Sequence, residues 1–404
     1  MAPGVRSLPL DLFRPTWAEV DLEAMARNFE AIRARVGALP ILAVVKADAY
    51  GHGAIEVARA LETSGAEWLG VALPEEGVEL RRSGLRASIL LLGGFAPAQA
   101  DLVLDHDLTA AVYRPDQLAA LGAAAGRRGV QARVHLKIDS GIGRLGVPAP
   151  EVPEFAALLK AAEPRIFMTG AFSHLAVADN PAESFTEVQI EAFRGAVDAL
   201  RRKGLRPDLI HLANSAAIID HPPAWLTLVR PGIILYGYPP SALLSPFPIH
   251  PVLSLKTRII YIKTIAPGTS LGYGRTWTAT RLTRVASLPI GYDDGLPRLL
   301  GNRGHVLVRG RRAPIVGRIS MDLTTVDVTE IPGAGLDDEV IVLGEAGGER
   351  LGADQMAAWA DTIPWEILCR LGARVPRVYL SRTGRKIVSR FETALASLPR
   401  GTVE

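Results

Sequence analysis

The stretch A-V-V-K-A-D-A-Y-G-H-G, residues 43 to 53, decides how the rest of the chain is interpreted. It continues an apolar run that starts at Ile41 and delivers Lys46 at its end, and Gly51 and Gly53 follow. An apolar run that opens onto a glycine-containing turn is typical of a buried parallel strand and its loop. Because α/β folds carry their chemistry at such strand ends, Lys46 is a candidate functional residue.

Strand-like and helix-like segments alternate outward from this stretch as far as Tyr238. Apolar runs of this kind, nearly continuous and bounded by turns, favour parallel strands that are covered on both faces. We therefore expect an α/β fold, a (β/α)8 TIM-like barrel, with an open doubly wound sheet as the alternative. The eight predicted strands are 41–47, 68–73, 88–94, 108–113, 133–139, 167–174, 209–214 and 227–236.

A second domain is expected after a proline-rich crossover between Tyr238 and Val252. The later runs are short, rich in β-branched residues and separated by glycine and proline turns, which predicts a mostly-β domain. Its strands are predicted at 254–264, 283–289, 305–308, 313–317, 324–327, 339–343 and 375–380, with a helix over 353–371 and a polar, helical tail after Arg382. The predicted domains are 1–245 and 246–404, and an early strand, 16–22, could pair with the second domain.

The composition excludes several classes of protein. A net charge of +3 spread over 404 residues, without a basic stripe, argues against nucleic-acid binding. No apolar run is long enough to span a bilayer, and the first fifteen residues lack the apolar segment of a secretion signal. With a single cysteine, Cys369, no intrachain disulfide can form, and we expect a reducing, cytoplasmic location. No metal site is predicted.

The segment around Lys46 resembles the cofactor-lysine signature of the alanine racemases, which hold pyridoxal 5′-phosphate (PLP) as a Schiff base on that lysine. The chemistry suits a lysine, since only a primary amine forms an imine and a desolvated strand end lowers its pKa. Further motifs of the family follow in the same order, so that the resemblance extends from Thr16 to about Tyr379. They are HLKIDSGIGRLG (135–146), FSHLA (172–176), HLANSAA (211–217), LVRPGI (228–233), GYGRTW (272–277), GYDDGLPR (291–298), GRISMD (317–322) and RVPRVY (374–379).

The resemblance implies a set of cofactor ligands in addition to Lys46. His174 would stack on the PLP ring, and Arg230 would meet the pyridine nitrogen with His211 behind it. The phosphate would be held after strands seven and eight, the usual place in this type of barrel. The implied phosphate ligands are Tyr50, Asn214, Ser215, Gly232, Ile233 and Tyr379.

Arg230 bears on the type of reaction. An arginine beside the pyridine nitrogen keeps that nitrogen unprotonated, so that a carbanion at the substrate α-carbon is poorly delocalised and short-lived. Rapid reprotonation suits a racemase and does not suit a transaminase.

Racemisation needs one base on each face of the planar carbanion. Lys46 supplies one, and the resemblance implies that Tyr273, reaching over from the partner subunit of a homodimer, supplies the other. Substrate contacts would come from Arg144, supported by a carbamylated Lys137, and from the backbone N–H of Met321. The residues implied at the substrate entrance are Asp179, Tyr292, Arg298 and Arg318.

The resulting hypothesis is the interconversion of L- and D-alanine, with D-alanine supplied to peptidoglycan. One alternative is a racemase for serine or basic amino acids, although those relatives usually lack the carbamylated lysine. Another is a barrel-type PLP amino-acid decarboxylase, which keeps a carboxylate near the ring nitrogen where this chain has Arg230. A single-barrel PLP carrier protein would lack the second domain.

Overall fold

The computed structural model describes residues 13–391, so the N-terminal residues used to argue against a secretion signal lie largely outside it. Within that range the chain forms two compact units. One runs from Met25 to His250, and the other combines the described residues up to Ala24 with those from Pro251 onward. No helix between residues 13 and 391 is long and apolar enough to cross a membrane.

The unit of residues 25–250 is built on a parallel sheet, as expected for the barrel. Its strands hydrogen-bond in the order β2-β3-β4-β5-β6-β8-β9, and the short β7 pairs beside β6. The bounds are β2 (Leu42–Val44), β3 (Trp68–Val71), β4 (Ser88–Leu91), β5 (Thr109–Val112), β6 (Ala132–Asp139), β7 (Val147–Pro148), β8 (Ile166–Phe172) and β9 (Leu209–His211), while β1 (Thr16–Asp21) belongs to the other unit.

The eighth predicted strand, 227–236, is wrong as a regular strand. Its second half forms a 3-10 turn, Ile233–Tyr236. Its first half still closes the sheet, because Leu42 of β2 donates to the Val229 carbonyl at 2.9 Å and Thr227 donates to the Ile210 carbonyl of β9 at 3.0 Å. Proline at 231 has no N–H to donate, so the ladder stays incomplete and no eighth strand develops.

Helices alternate with these strands and bury one apolar face each. The longest buries Ile190, Phe193, Val197 and Leu200, which repeat with the helical period along one face. The helices are α1 (Leu22–Val36), α2 (Lys46–Tyr50), α3 (Ala54–Thr63), α4 (Pro74–Arg82), α5 (Ala100–Asp105), α6 (Pro115–Arg128), α7 (Val152–Ala161), α8 (Phe185–Arg202) and α9 (Ser215–Asp220).

The second unit is rich in β-structure, as predicted. Its largest sheet has the order β16-β15-β18-β10-β1-β20-β21, with β19 beside β18, and β11-β14-β17 and β12-β13 form two smaller sheets. Strand β1 pairs with β10 and β20, so residues 16–21 are part of this unit. The bounds are β10 (Leu253–Arg258), β11 (Tyr261–Ile265), β12 (Ser270–Leu271), β13 (Trp277–Thr278), β14 (Thr283–Leu288), β15 (His305–Val308), β16 (Arg311–Pro314), β17 (Thr324–Asp327), β18 (Glu339–Ala346), β19 (Glu349–Leu351), β20 (Arg377–Ser381) and β21 (Gly384–Val388).

Two elements of this unit differ from the prediction. The run 254–264 becomes β10 and β11, because the chain leaves one sheet and enters another. The backbone N–H of Ile259 donates to the Asp338 carbonyl, whereas that of Ile260 donates to the Ser287 carbonyl. The helix over 353–371 divides into α10 (Ala353–Ala360) and α11 (Pro364–Cys369), since Asp361 is left-handed with φ 53° and a proline opens the second helix.

The polar tail is also corrected. Residues 384–388 do not form the predicted helix; they form β21, which pairs antiparallel with β20. Residues 392–404 lie outside the described part of the chain.

Candidate active site

Lys46 lies directly after β2, at the start of a turn with unusual backbone geometry. The four residues that follow it, 47 to 50, have φ angles of 54°, 53°, 51° and 55°. For residues 47 to 49 ψ lies between 46° and 52°, so the turn is a left-handed helix. L-residues pay about 1–2 kcal/mol each for this conformation, and strain of this kind is concentrated at functional sites.

Two carboxylates stabilise the left-handed turn. Glu76, in the first turn of α4, accepts from the Ala47 N–H at 2.7 Å and from the Ala72 N–H at the end of β3, also at 2.7 Å. Asp48 accepts from the Ala54 N–H at the start of α3 at 2.7 Å. The backbone around Lys46 is therefore tied to both neighbouring helices.

The strain in this turn predicts an unusual effect of glycine. Ala47 is exposed, so Ala47→Gly removes little packing and relieves the left-handed penalty; we expect the free energy of unfolding to rise by up to about 1 kcal/mol. The matched control is Ala119→Gly, at an exposed position inside right-handed α6, which should lower it by about 1 kcal/mol. Thermal unfolding of the two variants measures both effects. A fall in the midpoint for Ala47→Gly equal to that of the control would contradict the strain assigned here.

Small polar groups converge near the carboxyl ends of β2 and β9. The backbone N–H of Gly232 donates to the Ser215 hydroxyl at 2.9 Å. A Cβ on Gly232 would lie 2.6 Å from the Tyr50 hydroxyl oxygen, so the Tyr50 hydroxyl approaches the Gly232 backbone closely. Asn214 caps α9 by accepting from Ala217 at 3.0 Å, and Ile233 opens the next 3-10 turn. The hydroxyls and backbone N–H groups gathered here are donors suited to an anion.

Arg230 is buried and heads a chain of hydrogen bonds through two histidines. Its guanidinium donates to His211 Nδ1 at 3.0 Å and to the Ser173 carbonyl at 2.7 Å, while His211 Nε2 lies 2.9 Å from His135 Nδ1. A guanidinium only donates, so His211 Nδ1 must accept. Neutral His211 therefore carries its proton on Nε2 and donates a hydrogen bond from there to His135 Nδ1. The hydrogen bonds to His211 and to the Ser173 carbonyl therefore fix the orientation of the Arg230 guanidinium.

The charge in this chain resides on the arginine. Burial lowers the pKa of Arg230 to about 9, which leaves it a cation at neutral pH. Burial, and next the Arg230 charge, lower the pKa of His135 to about 3 and that of His211 well below its usual value. Both histidines are therefore neutral.

Lys137 and His174 share the positive environment of Arg230. The Lys137 ammonium lies 4.4 Å from the centre of the Phe172 ring, and burial, followed by Arg230, lowers its pKa to about 7. The same two causes lower the pKa of His174 to about 3, and Lys46 and Arg144 contribute to both shifts. With a pKa of about 7, Lys137 is about half deprotonated at neutral pH, and several other cations surround it. This positive environment favours the binding of an anion, or the conversion of the Lys137 amine to an anionic group.

The predicted residues of the β-rich unit lie mainly on its loops. Tyr273 occupies the turn between β12 and β13, and its side chain is 71% exposed. Its neighbour Gly274 has a φ of 71°, and a Cβ there would lie 2.8 Å from the Arg318 guanidinium. The Tyr273 turn and Arg318 therefore pack together.

A second pair of loops brings Tyr292 and Met321 together. The backbone N–H of Tyr292 donates to the Ser320 carbonyl at 3.0 Å, and the backbone N–H of Asp293 donates to the Met321 carbonyl at 3.2 Å. The side chains of Tyr292 and Met321 are exposed. Four of the predicted residues, Tyr273, Tyr292, Arg318 and Met321, thus belong to two small loop pairs of one unit.

The remaining predicted residues are placed more simply. Arg144 is exposed in the loop after β6, and Asp179 is exposed in the loop after β8. Arg298 is exposed at the start of a 3-10 turn, whereas Tyr379 is buried within β20.

Sequence reasoning missed several residues that shape the barrel site. His135 precedes Lys137 by two, and the period of a strand places both on one face, a signal that was available. Phe172 stacks on His211 at 4.9 Å, and Tyr236 stacks on Tyr50 at 4.6 Å, contacts that join distant segments. No local sequence pattern predicts such contacts.

Comparison with known proteins gives one consistent result. The alanine racemase N-terminal domain matches residues 20–240, and the alanine racemase C-terminal domain matches residues 252–379. The chain is 44% identical over 373 residues to the alanine racemase of Halothermothrix orenii, covering 92% of this chain and 98% of that protein. It is 44% identical over 377 residues to that of Symbiobacterium thermophilum, covering 93% and 100%.

Solved structures agree with these matches. Alanine racemase from Clostridium difficile superposes with a TM-score of 0.89 at 36% identity, covering 93% of this chain and 98% of that one. The enzyme from Bacillus anthracis with bound L-Ala-P gives a TM-score of 0.89 at 32% identity, covering 94% and 99%. Since both family domains match in order along almost the whole described chain, this protein belongs to the alanine racemase family.

Proposed function

We propose that this chain interconverts L- and D-alanine with PLP as its cofactor, in a homodimer whose subunits share their active sites. The observation that carries the proposal is the hydrogen-bonded Arg230–His211–His135 chain, in the same unit as Lys46, of a protein that is 44% identical to named alanine racemases. Decarboxylation is disfavoured by the same arginine, because it would lie beside the ring nitrogen of PLP, where the decarboxylases keep a carboxylate.

The barrel residues fit the cofactor. The cradle around Gly232, which any Cβ would fill, offers the Tyr50 and Ser215 hydroxyls to a phosphate. The Gly232 N–H already donates to Ser215, so the proton of that hydroxyl is available to an anion. Bound PLP withdraws electrons from the α-carbon of an amino acid attached to it and acidifies its α-proton.

Lys46 is proposed as the covalent anchor and as the base on one face of the substrate. The rigid left-handed turn limits where its amine can lie, and the charge of Lys46 contributes to the lowered pKa of Lys137 and of His174 in the same barrel. Arg144 is proposed to bind the substrate carboxylate through its planar guanidinium. Lys46 would accept or return the α-proton on its face of the substrate. Arg230 would keep the pyridine nitrogen of bound PLP unprotonated.

Tyr273 is proposed as the second base, acting in the site of the partner subunit. Its exposure suits that role, because a side chain projecting from its own unit is available to another chain. The segments 292–299 and 321–323 of the same unit also expose large apolar side chains, and exposed apolar surface favours coverage by a partner. These side chains are Tyr292, Leu299, Met321 and Leu323.

Alanine is the proposed substrate because Tyr273 and Tyr292 would narrow the entrance toward a methyl side chain. Discrimination of this kind amounts to a few kcal/mol at most. Supply of D-alanine to peptidoglycan and a cytoplasmic location complete the proposal.

A chiral assay with a panel of L-amino acids tests the function. Purified protein loaded with PLP should convert L-alanine to the racemate and act on serine, lysine and arginine much more slowly. Release of carbon dioxide, or equal rates with a basic amino acid, would replace the proposal with one of the two alternatives.

Arg230 should control which reaction follows proton abstraction. In Arg230→Glu a carboxylate would replace the cation beside the pyridine nitrogen of bound PLP, raise the pKa of that nitrogen and so favour its protonated, more electron-withdrawing form, and we expect racemisation to fall on the order of 10²-fold while pyruvate from transamination appears. Chiral analysis and a pyruvate assay measure the two products. Arg230→Gln is the control, since it removes the cation without adding an acid. If Arg230→Glu forms no more pyruvate than Arg230→Gln, the role assigned to Arg230 is incorrect.

Lys137 should become carbamylated as the pH rises. Only the neutral amine attacks carbon dioxide, forming the N–C bond and losing a proton, and its fraction increases through the pKa of about 7. In carbon-13-labelled bicarbonate we expect a carbamate NMR signal that grows with pH through this range, and that is missing in Lys137→Met. An unchanged signal in that variant would assign the carbamate elsewhere.

A further inference from the structure

One buried carboxylate connects three loops of the β-rich unit. The side chain of Asp294 is 0% exposed. Its Oδ1 accepts from the Arg14 guanidinium and from Arg374 Nε at 2.7 Å, and its Oδ2 accepts from the Gly291 N–H at 2.8 Å. We call Asp294 with Arg14 and Arg374 the Asp294 cluster.

Arg374 extends this cluster to the Met321 loop. Its Nη2 donates to Asp322 Oδ1 at 2.7 Å and to the Met321 carbonyl at 3.3 Å, while its Nε also lies 2.9 Å from Asp293 Oδ2. A single planar guanidinium therefore bridges the loop that carries Tyr292 and the loop that carries Met321. A lysine, with one compact charge, cannot span both.

The same three segments touch backbone to backbone at glycines. A Cβ on Gly291 would lie 2.2 Å from the Met321 carbonyl oxygen, and one on Gly372 would lie 2.5 Å from the Asp293 carbonyl oxygen. A Cβ on Gly295 would lie 2.6 Å from the Arg370 carbonyl oxygen. Because the backbones are in contact, a shift of the Arg374 segment must displace the other two loops.

We propose that Asp294 and Arg374 are positioning residues for substrate binding, which set the relative placement of the Tyr292 and Met321 loops. The inference rests on the proposed function, in which these loops serve the substrate entrance of the partner's site. The cluster touches neither substrate nor cofactor in this scheme. It acts by holding Tyr292 and the Met321 backbone at the spacing that alanine needs.

Kinetics of the homodimer give the first test. Arg374→Gln should raise KM for alanine about 10-fold or more while kcat changes less, because small misplacements of binding groups weaken the substrate complex. Arg374→Lys should give an intermediate KM, and Arg350→Gln, which removes an exposed arginine paired with Asp354 in the same unit, should leave KM unchanged. A fall in kcat alone, with KM unchanged in both Arg374 variants, would overturn the inference.

Mixed dimers separate positioning from folding. Pairing a Lys46→Ala subunit with a Tyr273→Phe subunit leaves one working site, made by the barrel of the second and the loops of the first. Arg374→Gln placed on the Lys46→Ala subunit lies beside the working site, and on the Tyr273→Phe subunit it lies beside the inactive one. Both dimers contain the same substitutions, so any general loss of stability is shared.

We expect KM to rise only when Arg374→Gln is on the Lys46→Ala subunit. Equal KM values in the two arrangements would show that the cluster acts only through stability and would overturn the inference. If the parent mixed dimer, purified through two different tags, has no activity, the shared-site proposal itself fails. Should Arg374→Gln not fold, Arg374→Lys takes its place in both arrangements, with the same two outcomes.

Discussion

Lys46→Ala is expected to abolish racemisation and the visible absorption that PLP acquires on binding this protein. The substitution removes both the proposed anchor of the cofactor and one of the two proposed bases, so a loss of roughly 10⁴-fold or more is expected. The turn that follows position 46 is held by Glu76 and Asp48, so the fold should survive. Absorbance during PLP titration and a chiral assay measure the two losses.

Borohydride reduction sharpens this experiment. In the parent protein, reduction should fix PLP on the peptide that contains Lys46, as detected by mass spectrometry. The matched control is Lys203→Ala, at an exposed lysine after α8, which should keep both the absorption and the activity. Fixation of PLP on another lysine in the parent protein would remove Lys46 from the mechanism, together with the argument from its left-handed turn.

Tyr273→Phe should retain the visible absorption and lose racemisation by about 10²–10⁴-fold, the usual contribution of a positioned acid or base. The change removes only a hydroxyl from a side chain that is 71% exposed, so packing in its own unit is hardly altered. With Lys46 intact, the α-proton of one alanine enantiomer should still exchange with solvent deuterium. Proton NMR in heavy water measures that exchange separately for L- and D-alanine.

Tyr261→Phe provides the control for this experiment, since Tyr261 is a second exposed tyrosine of the same unit. It should leave both exchange and racemisation unchanged. If Tyr273→Phe exchanges the α-protons of both enantiomers at parental rates, the second base is another group.

Restored activity in mixed dimers of Lys46→Ala and Tyr273→Phe subunits would place the two bases on different chains. A verified mixed dimer with no activity would place them in the same subunit, or outside the mechanism. The same preparation supports the placement experiment on Arg374, so one set of subunits tests both the shared site and the role of the Asp294 cluster.

The parts of the fold that were predictable depend on local periodicity. Seven of the eight predicted barrel strands were found, because apolar runs flanked by turns carry their own signal. The buried face of α8 also follows local periodicity, since its four apolar residues repeat with the helical period. Likewise Lys137 and His135 share a strand face because side chains alternate with a period of two.

The errors have tertiary causes. Residues 227–231 hydrogen-bond to strands on both sides, yet a proline without an N–H interrupts the ladder. The run 254–264 has the composition of one strand but serves two sheets, and which sheet accepts each residue is decided by distant partners such as Asp338 and Ser287. No local propensity encodes that choice.

By itself the sequence determined the order of the motifs, the identity of the family and the residue types of the chemistry: an amine at 46, a guanidinium at 230 and a phenol at 273. Only the tertiary structure decided the left-handed course of residues 47–50, the neutral tautomer of His211 and the burial of Asp294 among two arginines. The physical reason is that backbone strain, proton placement and desolvation depend on groups that are distant in the chain and adjacent in space.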